Sequence, residues 1–332
     1  GNSAFPRLGV KRYRARGHLA SAMNRDKLGS NLLLLTTSII WGAGFVAQEM
    51  GSDHLGPNAF NGLRYSIGAV CLAVILLAWH RGRAMDGFRS RDWVKASFSA
   101  GFFLFLGSVL QQAGIGDEAT GPGKAGFITG LYVVFVPLMG LGLGHRTTTQ
   151  MWAGVALATV GLWLLSFNPG NGQWAIGRGD LLVFIGAICW AAHVLVIDRF
   201  TNRVSSLHLA LGQVAVCAAA SWVVAAFAEP MELAKFQSAF LPALYLGVMS
   251  IAVAFTMQII GQRKAHPTHA SIIFAMEAVV GVFAGWLILS EQLTERELGG
   301  CLLMFCGMVL SQVPIRFIRL GLTRLANGKP PV

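Results

Sequence analysis

One carboxylate stands out in this chain. Glu277 lies in the stretch "IIFAMEAVVGVFAGWLILSEQL" (272–293), otherwise apolar and small until a second carboxylate, Glu291, where the run ends. If that run is a helix in a bilayer, an ionised Glu277 facing lipid costs about 2.5 kcal/mol or more, so it must face protein or a wet cavity. Two roles follow: a site that titrates or binds a solute's ammonium group, or a buried acceptor for donors on neighbouring helices. Glu291 reads as a helix-end carboxylate, paired with a loop residue such as Arg296.

Other side chains able to do chemistry are scattered in similar runs. Trp41 and Trp190 fall in mid-run, away from the membrane interfaces where Trp concentrates. An indole there needs a partner for its N–H or a cavity to face. His193 follows Trp190 by three residues and shares its helix face, as a solute or proton ligand or as a satisfied core histidine. Gln48, seven residues after Trp41, the adjacent Gln111 and Gln112, and the i, i+4 pair Gln258 and Gln262 offer amides that donate and accept without net charge. They suit a zwitterionic or polar neutral solute, or else bond helix to helix. Asn61 and Arg64, one turn apart, read as a gating or structural pair, with Arg64 snorkelling outward or meeting Glu49 or Asp53.

These residues have to be positioned by membrane helices. The chain of 332 residues is 54% hydrophobic and only 12% charged, about half the charge a soluble surface needs. Apolar stretches long enough to cross a bilayer recur at 32–50, 59–79, 96–115, 125–143 and 151–167, then after a Gly, Pro and Asn connector at 181–197, 207–227, 239–260, 270–289 and 298–315. The fold class expected is therefore an all-α integral membrane protein of ten transmembrane helices. The first span carries no small-residue cleavage site and reads as a retained helix. Cys71, Cys189, Cys217, Cys301 and Cys306 lie in apolar runs with no CxxC spacing, as packing residues rather than disulfides or metal ligands.

The net charge of +11 would suggest nucleic acid in a soluble protein, but its distribution assigns it to topology instead. With the N terminus in the cytoplasm, 20 Lys and Arg face inside and 4 outside, which puts both termini in the cytoplasm. The chain also repeats itself. "SIIWGAGFV" and "AICWAAHVL" open the two halves, and Gly154 and Gly161 match Gly300 and Gly307 in spacing. Each half has an odd number of spans, so the second enters the membrane from the opposite side. The expected organisation is a basic tail (1–30), a first repeat (31–167), a connector (168–180), an inverted second repeat (181–316) and a cytoplasmic tail (317–332). Inverted repeats give many secondary transporters their two conformations, with the solute site near the midplane.

Trp41-Gly42, Pro57, Arg64, "YVVFVP" (132–137) and the long block from Gly261 to Leu293 together resemble the ten-helix EamA branch of the drug/metabolite transporter superfamily, over about residues 38–312. The resemblance implies a basket of ten helices, a cavity lined by spans one to four and six to nine, and export of amino acids and other small metabolites from bacteria. It brings Tyr132 into the cavity set and Pro137 into the gating set. The aromatic-rich character is similar to the YddG type of amino-acid exporter. The chain departs from the family pattern at Glu49, where a basic residue is common, at Ala278 in place of proline, and at His145 in place of the first repeat's exit Glu.

The expected function is an inner-membrane secondary exporter of small organic solutes working by alternating access, with amino acids first and lipophilic drug cations as the alternative. Expected partners are that solute and membrane lipid, the protein being a monomer or homodimer, with no nucleic acid, metal or cofactor. An intramembrane enzyme would want paired membrane aspartates or a serine level with His193, and the chain offers neither. No GxxxxGK[ST] run supplies an ATP motor. Solute gradient and proton exchange both stay open as the driving force.

Overall fold

The computed structural model describes residues 8–80, 86–117, 120–166, 177–289 and 294–312, with side chains from residue 27 onward except at 80, 86, 121–124, 165, 166, 285, 288, 289 and 312. Apart from a 3-10 turn at Asp86–Arg89 and one π-helical segment, the regular structure of the described residues is α-helix. The first half comprises α1 (Leu8–Ser52), α2 (Pro57–His80), α3 (Arg91–Ile115), α4 (Gly121–Gly130), α5 (Tyr132–Gly142) and α6 (Thr149–Ser166). The second comprises α7 (Arg178–Phe200), α8 (Ser206–Ala228), α9 (Leu233–Tyr245), α10 (Phe255–Gln262), α11 (Pro267–Phe274), α12 (Met276–Leu289) and α13 (Glu295–Gln312). Eight helical stretches are long and apolar enough to cross a membrane, α6 adds a shorter one at Thr149–Leu164, and α13 begins with a charged turn. The arrangement is the ten-helix bundle of two inverted halves.

Three spans expected to run unbroken are interrupted. The fourth breaks at Leu131 between α4 and α5, and the ninth at Ala275 between α11 and α12. The eighth continues from α9 into a π-helix, Leu246–Ala254, before α10. The fourth and ninth breaks fall within one position of each other when "ITGLYVVF" (128–135) is laid on "IFAMEAVV" (273–280), an alignment that puts Tyr132 opposite Glu277. Discontinuous helices at such positions free backbone groups and aim half-helix ends at a central site.

Small residues set how closely the halves meet. A Cβ on Gly154 would lie 2.8 Å from the Gly307 carbonyl oxygen, and one on Gly161 would lie 2.6 Å from that of Gly300. The first glycine of one repeat therefore meets the second of the other, as antiparallel helices related by a two-fold axis require. Carboxylates tie helix ends of the two halves together. Glu229, beyond α8, accepts the amides of Asn58 and Ala59 at 2.9 and 2.7 Å, filling orphan donors at the start of α2. Asp180 accepts from Gly177 N–H at its own helix start and from the Thr120 hydroxyl of the first half, both at 2.9 Å.

The burial pattern is the reverse of a soluble protein's. Large apolar side chains such as Val70, Leu77, Phe98, Phe227 and Leu302 are exposed on the outside, while Gln48, Asn61, Arg64, Gln111, His193, Gln213, Gln258 and Glu277 are buried. Lipid tails cover such an exterior. A polar interior of this kind costs several kcal/mol per unsatisfied group in hydrocarbon, so it has to be used.

Candidate functional site

The buried polar side chains converge on one chamber between the halves. Its walls come from α1 (Trp41, Phe45, Gln48), α2 (Arg64, Tyr65), the ends of α3, α4 and α5 (Gln111, Thr129, Tyr132), α7 (Trp190, His193), the π-helix (Ser250, Ile251), α10 (Phe255, Gln258), α11 (Phe274) and α12 (Glu277). The free space is about 50 Å³, enough for a handful of water molecules.

Aromatic rings form the floor, with Phe255 at the hub. Its ring centroid is 5.1 Å from that of Trp41, 6.5 Å from Tyr65, 6.3 Å from Trp190 and 5.8 Å from His193. Trp41 donates its indole N–H to the Ser250 carbonyl at 3.3 Å. That carbonyl lies in the π-helix, where widened hydrogen bonding leaves backbone groups open to side chains. Trp190 fits because Gly107 leaves room for its ring, the nearest indole atoms being 3.1 Å from where a Cβ would stand. The indole N–H of Trp190, unlike that of Trp41, has no protein acceptor.

The polar lining is largely unpaired. His193 Nε2 lies 2.9 Å from Gln213 Oε1, and with that nitrogen donating, the partnerless Nδ1 is an acceptor. Both side-chain polar atoms of Gln258 and the Oε1 of Gln48 have no partner. Gln111 donates to the Thr129 hydroxyl at 3.0 Å. Glu277 accepts from the Tyr132 hydroxyl at 3.0 Å through Oε1. Ser108 and Tyr65 share a 2.6 Å hydroxyl bond behind the ring.

Of the residues singled out from the sequence, Trp41, Gln48, Gln111, Tyr132, Trp190, His193, Gln258 and Glu277 line the chamber. Gln112 does not. Its Nε2 donates to the Gln48 carbonyl at 2.9 Å and the Ser52 hydroxyl at 2.8 Å, and it faces a wider outer recess of about 490 Å³ flanked by Asp53, Asp117, Arg178 and Lys235. Gln112 thus belongs to the layer between chamber and recess. Gln262 is spent on the Val194 carbonyl at 3.0 Å. Glu49 is half-buried outside the chamber lining, Pro137 is buried within α5, and Glu291 lies outside the described residues. Arg296 donates to the Trp163 carbonyl at 3.3 Å and covers that ring.

Arg64 neither snorkels outward nor meets Glu49 or Asp53. It is 4% exposed and lines the chamber, its Nε donating to Asn61 Oδ1 at 2.8 Å and its guanidinium lying over Phe60 and Tyr65. A guanidinium at this depth is better served by cation–π faces and a short amide bond than by stretching past the α2 N terminus, which Glu229 already occupies. Tyr65, Thr129, Ser250, Phe255 and Phe274 were not distinguishable in the sequence, since hydroxyls and phenyl rings are ordinary in membrane helices.

The chain matches the EamA-like transporter family over residues 28–167 and 177–312, once in each half. It is 25% identical over 288 residues to an uncharacterized transporter of Archaeoglobus fulgidus, covering 86% of each chain. Identity is 24% over 289 residues to the uncharacterized transporter YoaV of Bacillus subtilis, covering 84% of this chain and 94% of that one. To a probable amino-acid metabolite efflux pump of Escherichia coli it is 22% over 298 residues, covering 86% and 95%. A solved crystal structure superposes with a TM-score of 0.71 at 18% identity over 85% of this chain and 96% of the other, a likeness of fold. With both halves matched and the chamber between them, this chain belongs to the EamA-like transporter family.

Proposed function

We propose that the protein is a secondary transporter of the bacterial inner membrane that exports amino acids, apolar and aromatic ones included, and related metabolites by alternating access. Both termini lie in the cytoplasm on this reading, and the two halves rock about the chamber. The observation that carries it is the chamber itself, walled by Trp41 and Trp190, and by Tyr132 and Glu277, from corresponding places in opposite repeats. Aromatic walls accept an apolar side chain, and unpaired amides, indole and imidazole accept polar groups without imposing a charge. The efflux pumps of Escherichia coli and Salmonella typhimurium, each 22% identical, support this choice of solute.

The free space of about 50 Å³ leaves a bulky solute little room in this conformation. Loading a solute then requires the halves to part, on the outer side through the layer containing Gln112. Counterflow in proteoliposomes with labelled amino acids, drug cations and nucleosides tests the proposal. Trans-stimulated flux of amino acids is the expected result, and displacement by drug cations alone overturns it.

The second reading, export of lipophilic cations, rests on Glu277 as a buried carboxylate. The presence of Arg64 in the same chamber weighs against it, because a guanidinium repels a cationic solute in a low-dielectric site.

A further inference from the structure

The chamber holds two formally charged side chains among its described lining residues, one of each sign. Arg64 and Glu277 are each 4% exposed. Neither makes an ion pair, with each other or with any described residue. Among the described residues, the side-chain hydrogen bond of Arg64 runs from Nε to Asn61 Oδ1. Glu277, among the same residues, accepts from the Tyr132 hydroxyl through Oε1.

Leaving a guanidinium and a carboxylate buried and not ion-paired is costly, since each forgoes hydration. Structural ion pairs avoid this by touching. Here both charged side chains line the same space without touching as an ion pair. Counted along their helices, Arg64 is about 10 Å from the outer end of its span, and Glu277 about 15 Å from the inner end of its own. In an apolar core about 30 Å thick both counts lie well inside the bilayer, and both side chains line the one chamber.

We infer that Arg64 and Glu277 are the two anchors for one zwitterionic solute, the guanidinium taking its carboxylate and the Glu277 carboxylate its ammonium. The guanidinium edge offers two parallel N–H donors, which match a carboxylate in bidentate fashion. Gln258, His193 Nδ1 and Trp190 Nε1 are placed to complete the polar contacts, and the ring floor around Phe255 takes the side chain. The bound chamber is then neutral overall. An amine leaves Arg64 uncompensated and an acid leaves Glu277 so, which makes charge balance the basis of selection. This inference rests on reading the chamber as the solute site of an exporter.

Counterflow of labelled phenylalanine in proteoliposomes, with phenethylamine and N-acetylphenylalanine as competitors, tests it. The wild type is expected to favour the zwitterion over either one-charge analogue by about 10- to 100-fold, the loss expected for one charge-assisted contact. Arg64→Gln should erase the preference over phenethylamine while keeping that over N-acetylphenylalanine, Glu277→Gln should do the reverse, and Arg64→Lys should restore part of what Arg64→Gln loses. A folding defect lowers all fluxes together and leaves these ratios alone. If the wild type moves amino acids but does not discriminate against the analogues, or if the ratios survive both substitutions, the anchoring inference is overturned while the exporter reading stands. If it moves phenethylamine in preference to phenylalanine, the exporter reading itself fails.

Discussion

The Tyr132 hydroxyl donates to Glu277 Oε1 at 3.0 Å, joining the first turns of the second half-helices of the fourth and ninth spans. Each repeat thus contributes one group to a bond at the centre of the molecule, and movement of one half against the other must keep it or break it. Tyr132→Phe removes the donor and leaves Glu277 without a hydrogen bond to protein. The half-saturation concentration for transport should shift by about tenfold or more, the usual worth of a bond to a charged group. Counterflow titrations of the two proteins check this, and an unchanged value would show that the bond plays no part in the loaded state.

Gln112 holds α3 to α1 in the layer between the chamber and the outer recess. Gln112→Ala removes both bonds and opens a path from outside. In a background without the five native cysteines, a cysteine placed at Gln48 should react several-fold faster with a membrane-impermeant thiol reagent when Gln112 is alanine, as expected of a seal held by two hydrogen bonds. Equal rates would place the seal elsewhere.

The crossed glycines of α6 and α13 make a prediction about stability alone. Gly154→Val and Gly161→Val drive side chains into the Gly307 and Gly300 carbonyls. Overpacking of this kind costs about 1–3 kcal/mol. Thermal unfolding in detergent should start at lower temperature, while the surviving protein keeps its half-saturation concentration, because neither helix lines the chamber.

At the start of α11, His266 caps the helix by accepting the Thr268 amide on Nδ1 at 3.2 Å. Burial, then the neighbouring His145, hold its pKa below the ordinary 6.5. His145 lies 5.7 Å from it ring to ring and 3.6 Å from Asp198, His269 lies 6.1 Å away, and Lys27 faces His269. A histidine whose pKa is depressed on folding contributes stability that is complete above 6.5 and is lost as pH falls through the folded value. The melting temperature should therefore drop between about pH 7.5 and about pH 5.5. His266→Asn keeps a capping acceptor without titrating, and should flatten that dependence. An unaltered slope would assign it to other groups.

Much of the site was legible because the bilayer makes polarity conspicuous. Glu277, His193, Gln48, Gln111 and Gln258 stand out in apolar runs, and the two tryptophans stand out by depth. Gln112 and Arg64 were less legible for one reason. Adjacent glutamines must point in different directions along a helix, and only packing decides which turns inward, so Gln111 reached the chamber and Gln112 the outer layer. Arg64 has a side chain long enough to reach outward or inward, and the position of Glu229 over the start of α2 and of the Phe60 and Tyr65 rings beside it decided the direction.

Span number, the doubling of the chain and the need for a polar interior were determined by the amino-acid order alone, because a hydrocarbon solvent penalises every unpaired polar group and so writes its thickness into the chain as runs of apolar residues. The breaks at Leu131 and Ala275, the π-helix that frees the Ser250 carbonyl, and the meeting of Arg64 with Glu277 around one chamber came only with the tertiary structure. Rotation of a helix about its axis and the alignment of distant half-helices depend on neighbours packing from elsewhere in the chain, and no local stretch carries that information.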